Sequence, residues 1–301
     1  MEKVIVELIK AKGPLQGSEI RDALGADGLV VWQACNHSKK LMIRRLGTRY
    51  LRLDRRVEGF ARLSPSILRE FLTYSVIGFV DDPNPIEEKA REIAAHVESV
   101  SKEKVELAYR VVSSIASEID SQELRNRPVC FLIAGDIVYN MAHDVPRPER
   151  STGKLVVGSD IDLVVIAADD FPDDLLRRLD DAIYREKYRL LMAPHVSEEI
   201  DYIVKKMKRV HEQLRFDTFK HRVACKILNE GTLLYGDDTL FGEIKARLHR
   251  SGVTQKLLAL EHRAKRFRKN AESRLLLEDS KEVRGETRNL FYPTEESEEF
   301  E

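Results

Sequence analysis

One apolar stretch interrupted by two aspartates constrains the fold of this chain more than any other feature. The segment "VVGSDIDLVVIAADD" at 156–170 has the composition of a buried strand, yet it contains Asp160 and Asp162 one residue apart. Because side chains alternate between the two faces of a strand, both carboxylates are predicted to project from one face. Two anions so close repel each other, and a divalent cation would relieve the repulsion. The pattern predicts a metal site, the alternative being two solvated acids at a strand edge.

A second buried strand precedes this one and ends in glycine. In "VCFLIAGDIVYNMA" at 129–142, a continuously apolar run is followed by Gly135 and by a segment predicted to be helical. A run of this kind is typical of a strand buried on both faces. The glycine allows a ligand to approach the backbone, and the N–H groups at a helix start favour phosphate. A purely structural turn is the alternative interpretation.

These two segments together resemble the nucleotidyltransferase superfamily that includes DNA polymerase β, and most closely its minimal prokaryotic members. That family has Gly-Ser at the first turn, then a hydrophobic-flanked Asp-x-Asp, then a third acid on a neighbouring strand. Gly135 matches the glycine, Asp160 and Asp162 match the pair, and "ILNEGTLLYGDD" (227–238) is similar to the segment that closes the core. The resemblance covers about 128–240. Asp136 stands where the family has serine, and it could cap the helix or meet a metal.

The resemblance implies an α/β (α+β) fold with a mixed sheet and a metal-dependent transfer of NMP from an NTP to a hydroxyl of a nucleic acid or protein. Mg²⁺ or Mn²⁺ would be the cofactor, with Asp160 and Asp162 holding both metals. Nucleotide contacts are expected from Gly135, Asp136, Ser159 and Lys220. Lys220, like Arg222 and Lys226 on the same predicted helix, could instead belong to a solvated face.

The third carboxylate has two candidate settings. In "EEIDYIVKK" (198–206), Asp201 lies between Ile200 and Tyr202, as it would on a third strand. There it would ligate one metal and help to deprotonate the acceptor, with Glu199 on the same face as the second choice. The apolar spacing of this region also fits a helix that begins at Ser197, and the sequence leaves both settings open.

The N-terminal segment has the element order of a winged helix-turn-helix. A helix ended by Gly13-Pro14 is followed by a second helix that Ser18 can cap, and by a third that Asp27 can cap. Two β-like runs, "LMIRRL" and "RYLRLD", then meet at Gly47-Thr48 as a predicted hairpin wing. In such a domain the third helix enters the DNA major groove and the wing contacts the backbone.

Local charge agrees with binding to DNA or RNA. The chain has 50 Lys and Arg against 51 Asp and Glu, so any attraction to nucleic acid must come from a local patch. Residues 39–56 form such a patch, and the third helix offers polar side chains to base edges. The predicted nucleic-acid contacts are Gln33, Asn36, Lys39, Lys40, Arg44, Arg45 and Arg49. The alternative is a protein-binding module with solvated bases, which leaves a protein partner or target possible.

The remaining sequence divides the chain and limits its class. The predicted segments are a winged helix at 1–80, a helical connector at 81–127, the nucleotidyltransferase domain at 128–250, and a basic helix with a disordered acidic tail at 251–301. Cys35, Cys130 and Cys225 have no metal spacing and are expected to be buried thiols. Without a long apolar run or a signal-peptide pattern, a cytoplasmic protein with no membrane contact is expected. The second functional hypothesis is a DNA-binding regulator whose nucleotidyltransferase-like domain senses a ligand without turnover.

Overall fold

The chain folds into two compact units. The computed structural model describes residues 1–119, 127–149, 151–278 and 287–293. One unit comprises Met1–His96 with Leu260–Glu301, and the other comprises Val97–Ala259. The boundary at His96 therefore lies within the predicted connector, and the C-terminal segment from Leu260 belongs with the N-terminal unit. Within the described ranges, no helix has the length and apolar character needed to cross a bilayer.

The N-terminal unit begins with the three predicted helices. Its elements are α1 (Glu2–Lys12), β1 (Leu15–Gln16), α2 (Gly17–Leu24), α3 (Gly28–His37), β2 (Leu41–Arg45), β3 (Tyr50–Leu53), β4 (Ala61–Ser64), α4 (Ile67–Thr73), β5 (Ser75–Phe79) and the start of α5 (Asn84–Glu118). Asp27 caps α3 as predicted, because its Oδ1 accepts a hydrogen bond from the Leu29 amide at 2.8 Å. Ser18 does not cap α2 as predicted, because it lies inside the helix, which begins at Gly17 with Gln16 as its N-cap. There the Gln16 amide donates to Glu19 Oε2 at 2.6 Å.

The predicted wing hairpin is wrong. Strand β2 does not pair with β3 but lies antiparallel to β5, with Leu41 opposite Phe79, and the sheet order is β1–β5–β2. Strand β3 pairs separately with β4. Val76 and Ile77 of β5 are fully buried, so the position of β5 between β1 and β2 removes apolar side chains from water and stabilises this pairing.

Part of the predicted disordered tail is ordered. Residues 288–291 form a short helix, and Phe291 is buried with its ring centroid 5.6 Å from that of Trp32. Tyr292 is buried beside it in the same hydrophobic core, which also takes in Ala271 and Leu275. Burial of two aromatic side chains outweighs the polar composition of this stretch. The rest of the predicted tail, 279–286 and 294–301, lies outside the described residues.

The second unit is an α+β domain built on a mixed sheet, as predicted. Its elements after α5 are β6 (Val129–Ala134), β7 (Pro146–Pro148), β8 (Leu155–Val157), β9 (Ile161–Ala167), α6 (Asp173–Met192), β10 (Ile200–Lys206), α7 (Met207–Gln213), α8 (Phe219–Glu230), β11 (Thr232–Gly236), α9 (Asp238–Arg250) and the start of α10 (Val253–Leu277). The sheet order is β10–β9–β6–β11. Strands β9 and β10 are parallel, whereas β6 is antiparallel to both β9 and β11.

Strand β6 is the buried strand that its sequence predicts, but the helix after it is not formed. All six residues of β6 are buried. Gly135–Tyr139 then form only a 3₁₀ turn, which ends where Asn140 takes a left-handed conformation at φ 53°. A left-handed residue terminates a helical turn, so the expected helical phosphate cradle shortens to a few residues. The three cysteines are buried, as expected.

Candidate active site

The strand register brings the predicted acids to one face of the sheet. Residues 200–206 are a strand, and the helix begins only at Met207, so the strand alternative holds for Asp201. Asp201 lies directly opposite Asp162 on the parallel neighbour, and Asp162 lies opposite Ala134 on the other side. Directly opposed residues project from the same face of a sheet, so Asp162 and Asp201 share a face. Asp160 lies immediately before β9, two residues from Asp162.

Burial and mutual repulsion disfavour the ionised acids. Burial, together with the charges of Asp160 and Asp136, raises the pKa of Asp162 well above its usual value. Desolvation also raises the pKa of Asp160, although that carboxylate is 37% exposed, and Asp136 and Asp201 add to the effect. The protein's own cations only partly offset these effects. Lys226 acts against the shift at Asp162, and Arg147 acts against it at Asp160.

Arg147, which lies on β7, contacts two of the acids. Its Nη2 lies 2.8 Å from Glu199 Oε2 and 3.9 Å from Asp160 Oδ1, while its Nε donates to the Gly158 carbonyl at 2.7 Å. The guanidinium is thus held by backbone on one side and by carboxylates on the other. Glu199, the second choice for the third acid, is therefore engaged by Arg147, whereas Asp201 remains 58% exposed. Sequence reasoning missed Arg147, because it stands between two prolines, a composition that does not indicate a strand.

The carboxylate oxygens of the site are suitable ligands for a hard divalent cation, although the carboxylates lie apart from one another. Asp201 is paired with Lys187 of α6 at 3.2 Å. Among the residues that the structure describes, no three His, Cys, Asp or Glu side chains are grouped closely enough to hold one metal. Carboxylate oxygens are nevertheless the ligands that Mg²⁺ and Mn²⁺ favour, and excess negative charge draws such an ion.

Gly135 is required by two features of its position. Its φ is +71°, and a Cβ built there would lie 2.0 Å from Asp162 Oδ2. The glycine therefore lets the turn pass directly against the acid. Asp136 also faces this site rather than capping a helix, because its Oδ2 accepts a hydrogen bond from Ser159 Oγ at 3.1 Å. Ser159 is buried and also accepts from the His143 amide at 3.2 Å, so its hydroxyl orders the loop before β9.

A further carboxylate, Glu230, reaches the glycine turn from the end of α8. Its Oε1 lies 2.7 Å from Lys226 Nζ and 3.4 Å from the Gly135 amide nitrogen, and its Oε2 accepts from the Tyr139 hydroxyl at 2.8 Å. Lys226, not the predicted Lys220, is the α8 cation at the site. Lys220 is exposed at the start of the helix. The quoted "ILNEG" contains Glu230, but nothing in the sequence indicates that α8 would end against the turn.

In the N-terminal unit, the polar face of α3 is already engaged. Gln33 is 9% exposed, and its amide donates to the carbonyls of Leu275 and Glu278 at 2.6 and 2.9 Å. Asn36 donates to the Trp32 carbonyl at 2.8 Å, one helical turn back. Gln33 is therefore committed to the C-terminal helix and unavailable to a base edge. The predicted base contact of Gln33 is wrong because the C-terminal end of α10 covers this side chain.

The basic stretch is also largely neutralised within this unit. Arg49 makes two hydrogen bonds of 2.6 Å to buried Glu70, and Arg45 lies 3.5 Å from the same carboxylate. Arg44 pairs with Glu87 at 2.7 Å. Arg49 therefore serves the fold. Arg44 and Arg45 are 46% and 43% exposed, and their contact with phosphate stays a prediction. Lys39 and Lys40 are exposed at the end of α3.

Comparison with known proteins adds no assignment. No protein-family model matches the chain, and no curated protein matches it significantly in sequence. The geometry of the acids and of the glycine turn is therefore the basis for assigning a function.

Proposed function

We propose that the Val97–Ala259 unit is a metal-dependent nucleotidyltransferase, which moves an NMP group from an NTP to an acceptor hydroxyl. One observation carries the proposal: Asp162 and Asp201 lie opposite each other on parallel strands, with Asp160 immediately before the strand of Asp162 and with Gly135 against Asp162. The mixed sheet and the third acid on a neighbouring strand both agree with the polymerase β-like resemblance.

In this proposal the acceptor oxygen forms a bond to the α-phosphorus while the bond to the β-phosphate oxygen breaks, and pyrophosphate leaves. Asp160, Asp162 and Asp201 would hold Mg²⁺ or Mn²⁺, which when bound stabilises charge on phosphate oxygens and lowers the pKa of the acceptor hydroxyl. Asp201, the exposed member, takes the hydroxyl proton. Arg147 keeps Asp160 and Glu199 in place, and Gly135 leaves room for the phosphates.

Asp162→Asn should abolish the transfer. Incubation with each α-³²P-labelled NTP, Mg²⁺ or Mn²⁺ and cell extract should label a polymer with the wild-type protein and not with this variant. Asp170→Asn, an exposed aspartate just beyond the same strand, is the matched control and should label normally. Because the folded state raises the pKa of Asp162, the variant should fold at least as stably as the wild type. Equal labelling by both variants would reject the proposal.

The alternative is a nucleotide-sensing regulator without turnover. It is favoured by Glu230, a carboxylate that already lies against the glycine turn, and by Asp136 in place of the family serine. The labelling assay, combined with calorimetric titration of the NTP, separates the two functions. A regulator would bind the NTP but label no polymer, and the Asp162→Asn change would alter binding alone.

A further inference from the structure

Glu230 is a buried carboxylate with donors that come from two different elements. Its side chain is only 4% exposed. Tyr139 and the Gly135 amide approach it from the glycine turn, and Lys226 approaches it from α8 at 2.7 Å. The glycine turn also passes directly against Asp162, since a Cβ on Gly135 would lie 2.0 Å from Asp162 Oδ2. The turn that supplies two of these donors therefore borders both Glu230 and the acid cluster.

This arrangement is one that a phosphoryl group would use equally well. A hydroxyl, an ammonium and a backbone N–H are the donors that bind phosphate oxygens in proteins, and hydrogen bonds to a charged acceptor are stronger than neutral ones. The carboxylate of Glu230 presents two oxygens to them, as a terminal phosphate would.

The backbone that carries Glu230 is anchored independently of these donors. Lys245 of α9 donates to the carbonyls of Leu228, Asn229 and Gly231, at 2.8, 2.7 and 2.6 Å. These residues flank Glu230, so the end of α8 is held even when the Glu230 side chain changes its rotamer. The movable part is the side chain alone.

We infer that Glu230 is an internal occupant of a phosphate subsite, and that the pyrophosphate portion of the nucleotide takes over Lys226 and Tyr139 by displacing it. The inference rests on the proposed function and specifies how its substrate is admitted. A ligand that must first displace a bound group binds more weakly than it would bind the vacated site. The reason is that only the fraction of protein molecules in which the site is vacant can bind the ligand. Removing the charge of Glu230 should therefore favour ligand binding.

The test is calorimetric titration of inorganic pyrophosphate, with Mg²⁺ present, into the full chain. Glu230→Gln should bind pyrophosphate about tenfold more tightly, since an ionic hydrogen bond to Lys226 no longer competes. The double variant with Lys226→Met should lose that gain, as expected for coupled residues. Glu243→Gln, which removes an exposed partner of Arg247 on α9, is the matched control and should bind as the wild type does.

Thermal unfolding establishes first that each variant is folded. Should Glu230→Gln not fold, Glu230→Asp takes its place, because the shorter side chain keeps the charge but loses reach, and tighter binding is again expected. A folded variant with unchanged or weaker pyrophosphate binding overturns the inference and leaves Lys226–Glu230 as a structural pair. Tighter binding without any nucleotidyl transfer upholds the inference and rejects the proposed function. Transfer by the wild type with unchanged binding in the variant rejects the inference alone.

Discussion

Replacing Glu70 with glutamine is expected to lower the free energy of unfolding by about 3–5 kcal/mol, the usual cost of breaking a buried ion pair. Glu70 is 5% exposed and lies 2.6 Å from Arg49 and 3.0 Å from Arg268. Arg268 is itself buried. Loss of the carboxylate charge would leave the two guanidinium groups sharing the carboxylate of Glu272, with Arg268 also keeping its hydrogen bond to the Pro65 carbonyl. Denaturant unfolding, followed by circular dichroism, measures the difference.

The control for this prediction is Glu87→Gln. Glu87 also pairs with one arginine of the basic stretch, Arg44, but both side chains are 46% exposed. Exposed pairs contribute at most about 1 kcal/mol, so this variant should stay close to the wild type. Equal losses in the two variants would contradict the structural role assigned to Glu70.

The lowered pKa of Glu70 predicts that the stability of the fold is sensitive to acid. Burial alone would raise the pKa of Glu70, but the hydrogen bond from Arg49 and the charges of Arg268, Arg49 and Arg45 lower it below the usual 4.5. A lowered folded-state pKa stabilises the fold above the unfolded value, and this stabilisation is lost as pH falls through the folded value. The wild type should therefore lose stability below pH 4.5 more steeply than Glu70→Gln does.

Gly135→Ala should reduce nucleotidyl transfer by about 100-fold or more, because displacing a reacting group by about 1 Å has effects of that size. A Cβ at this position would lie 2.0 Å from Asp162 Oδ2, so the carboxylate must move. The left-handed backbone adds strain of about 1–2 kcal/mol. Labelled-NTP transfer and the unfolding free energy are the two measurements.

Gly252→Ala separates strain from displacement. Gly252 has a φ of +70°, against +71° at Gly135, but a Cβ there would meet nothing within 4 Å. The control should share the modest loss of stability and keep full transfer. If both variants kept full transfer, Gly135 would not be admitting the phosphates and positioning Asp162 as proposed.

The parts of this site that sequence predicts are those encoded locally. Alternation along an extended segment predicts that Asp160 and Asp162 share one face, and the apolar run of β6 predicts a strand buried on both sides. The sequence leaves the setting of Asp201 open, because short apolar spacing fits both the period of a strand and that of a helix. Its pairing with β9 decides the matter, since the parallel register with Ile161–Ala167 holds the segment extended.

What sequence reasoning missed depends on contacts between distant segments. Gln33 looks like a base-reading residue until α10 returns to accept its hydrogen bonds. Arg49 looks like a phosphate contact until Glu70 binds it. Glu230 reaches Gly135 only because α8 ends against the turn. Polar side chains of these types suit either a ligand or an internal partner, and only the tertiary fold determines which one they meet.

The affinity for Mn²⁺ of the wild-type chain, of Asp162→Asn and of Asp170→Asn tests the central claim most directly. It can be followed by electron paramagnetic resonance, with and without a non-hydrolysable α,β-methylene NTP. We expect the wild type and Asp170→Asn to bind Mn²⁺ alike, the nucleotide analogue to tighten that binding, and Asp162→Asn to lose both effects. Mn²⁺ binding that is the same in all three proteins and indifferent to the analogue would contradict a cation–nucleotide site at these carboxylates.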